Sequence, residues 1–170
     1  MVDSILERRG FQLVPMQKSH VMEFYHDIAS YSAAEYKDVD LFYALDQMQE
    51  DQECMVLKNP DGISVQLIGL KATGNQQACM WSLFTKQMDK DWRSAIRVSP
   101  DIVRYAHQTY YEINLNIPIE NEGSISWAVW LGFIPAGYIE DEDGTTLMHF
   151  VRCNPDRKNV YALASRPVMH

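Results

Sequence analysis

The side chains that could do chemistry in this chain of 170 residues are a few proton acceptors and one cluster of cations. Glu112, His107 and His149 are candidate general bases, because each can take a proton from an attacking nucleophile. The spacing along the chain gives no Ser-His-Asp or Cys-His arrangement for nucleophilic catalysis. Each of the three candidates is more often an ordinary surface or core residue, so the catalytic residues stay unassigned at this stage.

The cations lie in the segment 86–98, which carries Lys86, Lys90, Arg93 and Arg97 in an otherwise acidic protein. A guanidinium group binds phosphate oxygens through paired hydrogen bonds, so Arg93 and Arg97 are candidate phosphate ligands. The alternative is that each arginine only solubilises the surface or forms a salt bridge, which is the more frequent role.

Composition and charge exclude several classes of protein. The chain is 46% hydrophobic and 22% charged, which is typical of a globular domain. The formal net charge is −8, and because an acidic surface repels phosphate backbones we expect no nucleic-acid partner. No apolar run is long enough to span a membrane and the first residues do not resemble a signal peptide, so we expect a cytoplasmic protein.

The cysteines give no sign of a metal site. Cys54, Cys79 and Cys153 are widely separated, and no Cys/His spacing typical of a zinc site occurs. All three lie in apolar segments, where a free Cys behaves as a small hydrophobic residue. The sequence therefore predicts no metal centre and a reducing compartment.

Hydrophobic periodicity and turn residues predict the elements that position these groups. The predicted order is a strand, two helices, three strands, a helix, a strand, a short helix and a final hairpin. The ranges are 11–14, 19–29, 39–50, 53–58, 63–71, 77–85, 99–111, 112–117, 121–133, 134–140 and 145–152. The segment 86–98 has no clear pattern. The order predicts one α/β (α+β) domain with a mixed, mostly antiparallel central sheet flanked by helices.

The stretch Asn121–Phe133 has the most informative spacing in the chain. An Asn ends an extended segment, and Gly132 stands where a helix C-cap needs a left-handed residue. Three residues at helical spacing predict one buried face: Ile125, Ala128 and Val129. Two large aromatic residues are expected to pack against the sheet as core: Trp127 and Trp130.

The element order over residues 11–152 resembles the GNAT (Gcn5-related N-acetyltransferase) superfamily. The residues at matching spacing are Asn121, Ser124, Ile125, Gly132 and Phe133. The resemblance implies a GNAT-like domain over 1–152 in which the fourth and fifth strands splay apart. It also implies acetyl-CoA as cofactor and direct attack of an amine-bearing acceptor on the thioester. Residues 153–170 lack periodicity, and they are either a contact arm for a protein partner or a frayed terminus.

The resemblance also assigns site residues. The implied cofactor-binding residues are Leu83, Thr85, Arg93, Arg97, Asn121 and Ser124. Main-chain groups near the first two would hold the pantetheine, and the arginines would meet the pyrophosphate. Asn121 and Ser124 would lie against the arm of the cofactor.

Two features depart from the family pattern. The pyrophosphate loop, Gln/Arg-x-x-Gly-x-Gly/Ala, should follow the fourth strand, but 86–98 contains no glycine. Glycine matters there because it lets backbone N–H groups approach phosphate oxygens at a helix start. In addition, Ala128 stands where many GNAT enzymes place a Tyr that protonates the departing thiolate.

A narrower resemblance supports a different function. Trp92-Arg93 and the glycine-free loop resemble the GNAT-like internal virion proteins of short-tailed bacteriophages. The alternative to an N-acetyltransferase is therefore a non-catalytic phage morphogenesis protein, located in the host cytoplasm or the virion. A third hypothesis, an inhibitor that binds a basic host protein, depends on net charge alone.

Overall fold

The computed structural model describes residues 4–28, 45 and 50–156. These residues form eight strands and four helices in one α/β domain. The strands are β1 (Leu6–Arg8), β2 (Phe11–Pro15), β3 (Glu53–Lys58), β4 (Ser64–Gly74), β5 (Gln77–Phe84), β6 (Glu112–Pro118), β7 (Ile134–Glu140) and β8 (Thr146–Cys153). The helices are α1 (Lys18–Asp27), α2 (Met88–Ile96), α3 (Ser99–Thr109) and α4 (Glu122–Trp130). The predicted helix 39–50 and the tail beyond residue 156 lie largely outside the described residues.

All eight strands join one sheet in the order β1-β2-β3-β4-β5-β6-β8-β7. The recorded pairs are antiparallel except the pair of β5 with β6, which is parallel. This architecture confirms the predicted fold class. The parallel pairing covers only Gln77–Glu112, Ala78–Ile113 and Cys79–Asn114.

The chain groups into two compact units, of which the first comprises the described residues up to Lys71 together with 80–102. Its core is a cluster of buried side chains from β2, α1, β3, β4 and β5, with Phe24 and Leu83 fully buried. Gly69 lies against Trp81, and a Cβ at Gly69 would come within 2.1 Å of the indole ring. Trp81 Nε1 donates to Gln52 Oε1 at 2.5 Å, which satisfies the one polar atom of that side chain.

The second unit comprises residues 72–79 and the described residues from Val103 onward. Its framework is β6 paired with β8 over seven residue pairs, with Ile113 and Phe150 fully buried. Strand β7 pairs with β8 and ends the strand order of the sheet. Among the described residues, no helix is long and apolar enough to cross a membrane.

Two elements were not predicted from the sequence. β1 is only three residues long and pairs with β2 alone, so its stability comes from the neighbouring strand rather than from its own pattern. Helix α2 occupies the segment 86–98, where no pattern was recognised. It is largely exposed and buries only Ala95, although its apolar residues Met88, Trp92, Ala95 and Ile96 recur at helical spacing.

Several predicted boundaries and faces were wrong. The first helix begins at Lys18 rather than after Ser19, because Gln17 is its N-cap and its N–H donates to His20 Nδ1. The predicted buried face of α4 is reduced to Ala128, since Ile125 is half-buried and Val129 is 55% exposed. Trp130 is 57% exposed rather than core. A nine-residue helix this rich in apolar residues has no single polar face, so its sequence did not determine which side turns outward.

Candidate active site

The first part of the predicted site is the exit of β5, in the first unit. The Leu83 side chain is fully buried in the core cluster, so only its main chain could face a ligand. Thr85 is also buried, and its hydroxyl donates to the Ser64 carbonyl oxygen at 2.7 Å. Its N–H donates to the Val65 carbonyl oxygen at 3.1 Å. The polar groups of Thr85 therefore tie β5 to β4.

The backbone N–H groups that follow β5 are already bonded. Lys86 N–H donates to the Asp27 carbonyl oxygen at 2.8 Å, and Met88 N–H donates to that of Thr85 at 3.0 Å. Three more N–H groups, those of Asp89, Lys90 and Asp91, donate to carbonyl oxygens of Lys86 or Gln87 at 3.1–3.2 Å. The donors that a helix start normally leaves free for an anion are therefore occupied within the chain.

The first turn of α2 contains two carboxylates, those of Asp89 and Asp91, on either side of Lys90. Asp91 accepts hydrogen bonds from Asn59 Nδ2 at 2.9 Å and from Gln87 Nε2 at 3.1 Å, which fixes the carboxylate in place. A carboxylate in the first turn stabilises the helix dipole in the way that a bound phosphate would. The protein thus supplies its own anion at this helix start.

The start of α3 is closed to an anion in the same way. Pro100 has no N–H, and the N–H groups of Asp101 and Ile102 donate to the Val98 carbonyl oxygen at 3.0 and 3.2 Å. The Asp101 carboxylate lies 3.4 Å from the Arg8 guanidinium. Neither helix start between β5 and β6 therefore provides the combination of free donors and positive charge that a pyrophosphate requires.

The residues of this region do not fit the pyrophosphate of acetyl-CoA. Fit would require backbone N–H groups that point at the phosphates, and the amides of Thr85, Lys86 and Met88–Asp91 instead donate to carbonyl oxygens. It would also require an absence of competing negative charge, and two aspartates lie in the first turn.

The two arginines lie at the other end of α2. Arg93 is in the last turn, and its guanidinium carbon is 5.4 Å from the ring centroid of the exposed Trp92. Arg97 is the C-cap residue, which at about 1.5 Å of rise per residue is roughly 13 Å along the helix from Met88. Cations at a helix C-terminus interact favourably with the helix dipole. That position explains both arginines without a phosphate ligand.

The second part of the predicted site is the N-terminus of α4, in the second unit. Asn121 is its N-cap, and Asn121 Oδ1 accepts from Ser124 N–H at 3.1 Å. The structure thus brings Asn121 and Ser124 together, in a cap that uses the side chain of one and the backbone of the other. An Asn cap satisfies an otherwise unpaired helix donor, so the spacing has a structural cause.

The other end of α4 is held by Gly132. Its φ of 89° and the bond from Phe133 N–H to the Ala128 carbonyl oxygen at 3.0 Å form a left-handed C-cap, as the sequence predicted. A Cβ at Gly132 would lie 3.4 Å from Arg152 Nε, which itself donates to the Leu131 carbonyl oxygen at 3.0 Å. Ala128 is fully buried inside this helix, so no proton donor stands at the position of the family's Tyr.

The candidate bases do not form a catalytic group. Glu112 pairs with Cys153 at the start of β6, whereas His149 pairs with Asn116 four residues further along the same strand. At about 3.3 Å per residue their backbones are roughly 13 Å apart. His149 Nδ1 lies 2.7 Å from Asn116 Oδ1, so its ring is engaged by a neighbouring side chain.

His107 is a buried structural residue. Its Nδ1 lies 2.9 Å from the Tyr110 carbonyl oxygen, so Nδ1 carries the proton and Nε2 is the acceptor. Burial lowers the pKa of His107, against the opposing effect of that hydrogen bond. Nε2 has no hydrogen-bond partner among the described residues. The ring is therefore neutral and anchors the end of α3.

Sequence reasoning missed the residues that close the phosphate site. Asp89 and Asp91 could have been recognised, because two acidic residues spaced by one position are typical of a first helical turn. The bond between Asn59 and Asp91 could not, since it joins residues 32 positions apart. The role of Arg152 at the Leu131 carbonyl was missed for the same reason.

Comparison with known proteins identifies the fold. No protein-family model matches the chain, and no curated protein matches it in sequence. A spermidine N-acetyltransferase from Vibrio cholerae in complex with CoA and spermine matches with a TM-score of 0.70 at 11% identity, over 86% of this chain and 96% of that one. A spermidine N-acetyltransferase SpeG chimera from Vibrio cholerae and hSSAT matches with a TM-score of 0.69 at 11% identity, over 85% and 95%.

The class of protein is therefore defined by the fold. The chain has the GNAT-like fold of the N-acetyltransferases that it matches, which confirms the fold predicted from the element order and the Asn121–Phe133 spacing. At 11% sequence identity, these matches show similarity of the fold alone. The bound CoA belongs to the Vibrio cholerae enzyme, and the corresponding function of this chain is a separate question.

Proposed function

We propose that this chain is an acetyltransferase-like protein of the GNAT fold that works by binding another protein rather than by catalysis. The observation that carries the proposal is the β5–α2 junction, where backbone N–H groups are bonded within the chain and two carboxylates occupy the first helical turn. The buried Ala128 at the position of the family's Tyr supports it.

Calorimetry with acetyl-CoA tests this proposal. We expect no saturable heat at millimolar cofactor for the natural chain. The double variant Asp89→Asn with Asp91→Asn removes the negative charge of the first turn and leaves the backbone amides bonded, so it should also give no heat. Saturable binding by the natural chain would overturn the proposal. Binding by the double variant alone would show that charge, and not the bonded amides, excludes the cofactor.

More specifically, we propose that the chain has a structural role in a bacteriophage particle. It is supported by the resemblance of Trp92-Arg93 and the glycine-free loop to internal virion proteins. The domain would comprise residues 1–152, and 153–170 would contact the partner. Deleting residues 154–170 should then abolish assembly while the far-ultraviolet circular dichroism of the domain is kept. Normal assembly of particles with the deleted chain would contradict the role of the tail.

A second candidate function is N-acetyl transfer to an amine. The GNAT-like fold favours it, because a Vibrio cholerae enzyme of this fold is in complex with CoA and spermine. The Vibrio cholerae neighbours act on spermidine, so a polyamine is the first acceptor to test. Formation of acetylspermidine from acetyl-CoA, measured by mass spectrometry, would support this function. Absence of product together with absence of calorimetric binding removes it.

A further inference from the structure

Large apolar side chains are exposed mainly in one stretch of the second unit. Ten large hydrophobic residues are exposed in the described chain, and six of them lie between residues 119 and 139. The six are Ile119, Val129, Trp130, Ile134, Tyr138 and Ile139. We call the exposed part of α4, β7 and the turn that follows β7 the 119–144 surface. The six residues are close together in the sequence, and exposed large apolar side chains are typical of an interaction site where they form a patch.

The fold does not use these side chains for its own packing. Helix α4 buries only Ala128 among its nine residues, and every residue of β7 is exposed. Among the described strands, β7 ends the strand order of the sheet and pairs with β8 alone. Ile134 and Tyr138 are 68% and 70% exposed, values at which a large apolar side chain contributes little to folding.

The same stretch has a uniform charge. Residues 119–144 contain six carboxylates, those of Glu120, Glu122, Glu140, Asp141, Glu142 and Asp143, and no Lys, Arg or His. All six are exposed. The surface therefore combines apolar side chains with negative charge, which requires a partner that is both apolar and cationic.

A pocket beside β7 offers a place for one apolar side chain. Its volume is about 480 Å³, and its lining includes Ile134, Ala136, Val151, Cys153 and Pro155. Arg152 also lines it, and its positive guanidinium disfavours a second cation inside the pocket. A cationic group of the partner would instead lie at the acidic turn, Asp141–Asp143.

The edge of β7 that pairs with no described strand limits where a partner strand could pair. Pro135 has no N–H, and the register shift between Pro135 and Tyr138, with Gly137 at a φ of 111°, interrupts the first half of the strand. Tyr138–Glu140 pair regularly with β8, so their outward groups are the regular part of the edge. Strand addition at Tyr138–Glu140 would bring the added segment next to the acidic turn.

We propose that the 119–144 surface binds an extended polypeptide segment in which apolar side chains alternate with lysine or arginine. This inference rests on the proposed binding function. Nucleic acids and anionic lipids are disfavoured because they carry the same sign of charge as the surface. A second copy of the chain is disfavoured because six carboxylates would face six others.

The test is amide NMR of the ¹⁵N-labelled full chain with synthetic peptides. The probe is a peptide of four Val-Lys repeats, and the controls are peptides of four Val-Glu and four Ser-Lys repeats. We expect shifts confined to residues 119–144 and an affinity for Val-Lys at least 10-fold above that for either control. Equal affinity for Ser-Lys would overturn the proposal, because the apolar side chains would then contribute nothing.

Two variants that change the charge by the same amount show where the peptide binds. Glu142→Lys, in the acidic turn, should weaken Val-Lys binding about 5-fold or more, whereas Asp61→Lys, an exposed residue of the first unit, should leave it unchanged. If both variants weakened Val-Lys binding equally, the proposed location of binding at the acidic turn would be wrong. If spermine shifted the amide signals of the same residues at the same concentrations, the surface would be a site for small cations. That result would overturn the proposal of a polypeptide ligand.

The remaining outcomes separate this inference from the function on which it rests. Val-Lys binding that appears only after removal of residues 157–170 would show that the chain's own tail occupies the surface, and would overturn an external partner. No Val-Lys binding together with no acetyl-CoA heat would overturn this inference alone. Calorimetric binding of acetyl-CoA would overturn the proposed function whatever the peptides do.

Discussion

The β5–α2 junction and the 119–144 surface differ in whether their interacting groups already have partners within the chain. At the junction the backbone donors are bonded within the chain, and Asp91 is fixed by Asn59 and Gln87. On the 119–144 surface, six large apolar side chains remain exposed beside six carboxylates. The fold satisfies the polar groups of the first region, whereas it leaves the apolar side chains of the second exposed. The position that resembles an enzyme site is therefore the weaker candidate for binding.

The largest effect expected from this comparison comes from Leu83, whose side chain is fully buried in the first unit. Leu83→Ala should lower the free energy of unfolding by about 2–5 kcal/mol, because it removes buried methyl groups and leaves a cavity. Urea unfolding followed by tryptophan fluorescence measures the change. Ile63→Ala, at a residue 47% exposed, is the control and should cost far less. A loss no larger than the control's would break the structural interpretation of Leu83.

Thr85 should show the next largest effect. Thr85→Val removes the hydroxyl that donates to the Ser64 carbonyl oxygen at 2.7 Å and leaves a buried acceptor without its partner. The expected cost is about 1–3 kcal/mol in the free energy of unfolding. Thr73→Val, at an exposed position of β4, should change stability by less than about 0.5 kcal/mol. If the two variants were equally stable, the Thr85 hydroxyl would not stabilise the fold, and ligand binding would be the remaining role for it.

Asn121 tests the same distinction in the second unit. Asn121→Ala removes the N-cap of α4 and should cost about 0.5–2 kcal/mol, whereas Asn121→Ser keeps a capping oxygen and should cost only a few tenths. Thermal unfolding by circular dichroism is sensitive enough to separate them. If Ala and Ser behaved alike, the cap would not be the reason for Asn at this position.

Two buried histidines, one in each unit, should make stability depend on pH in the same direction. Burial lowers the pKa of His20, as does the nearby Lys58, and burial also lowers the pKa of His107. The stabilisation is complete above the unfolded value of 6.5 and is lost as pH falls below it, because the unfolded chain binds protons first.

Urea titrations between about pH 7.5 and pH 5.5 measure this effect without titrating most carboxylates. The free energy of unfolding should decrease over that range, and His20→Gln and His107→Gln should each flatten the decrease. Stability that rises as the pH falls would contradict the assignment of both rings as neutral.

The smallest effect is expected on the 119–144 surface. Trp130→Gln exchanges a side chain that is 57% exposed, so stability should change by less than about 0.5 kcal/mol. Affinity for the Val-Lys peptide should fall in the same variant. A loss of stability comparable to that of Leu83→Ala would show that Trp130 is part of the core, and the contrast between the two regions would disappear.

The sequence predicted those features that residues close together in the chain determine, and it failed for features that depend on packing. The terminal hairpin was predicted because the turn residues Asp143-Gly144 act over a few positions. Helix α2 was missed although its apolar residues Met88, Trp92, Ala95 and Ile96 recur at helical spacing, and only one of them is buried. Trp130 was assigned to the core on its chemistry alone, and its exposure depends on which side of α4 faces the sheet. That orientation is not encoded in short-range spacing.

The sequence by itself determined the element order apart from β1 and α2, the caps of α4 and the fold class, because periodicity, Asn121 and Gly132 act within single elements. It also determined the uniform negative charge of residues 119–144. Only the tertiary structure decided that the backbone amides after β5 are bonded to Asp27 and to their own turn. Only the tertiary structure likewise decided that the apolar residues of α4 and β7 stay exposed. Hydrogen-bond partners and burial depend on residues distant in sequence, which local patterns do not specify.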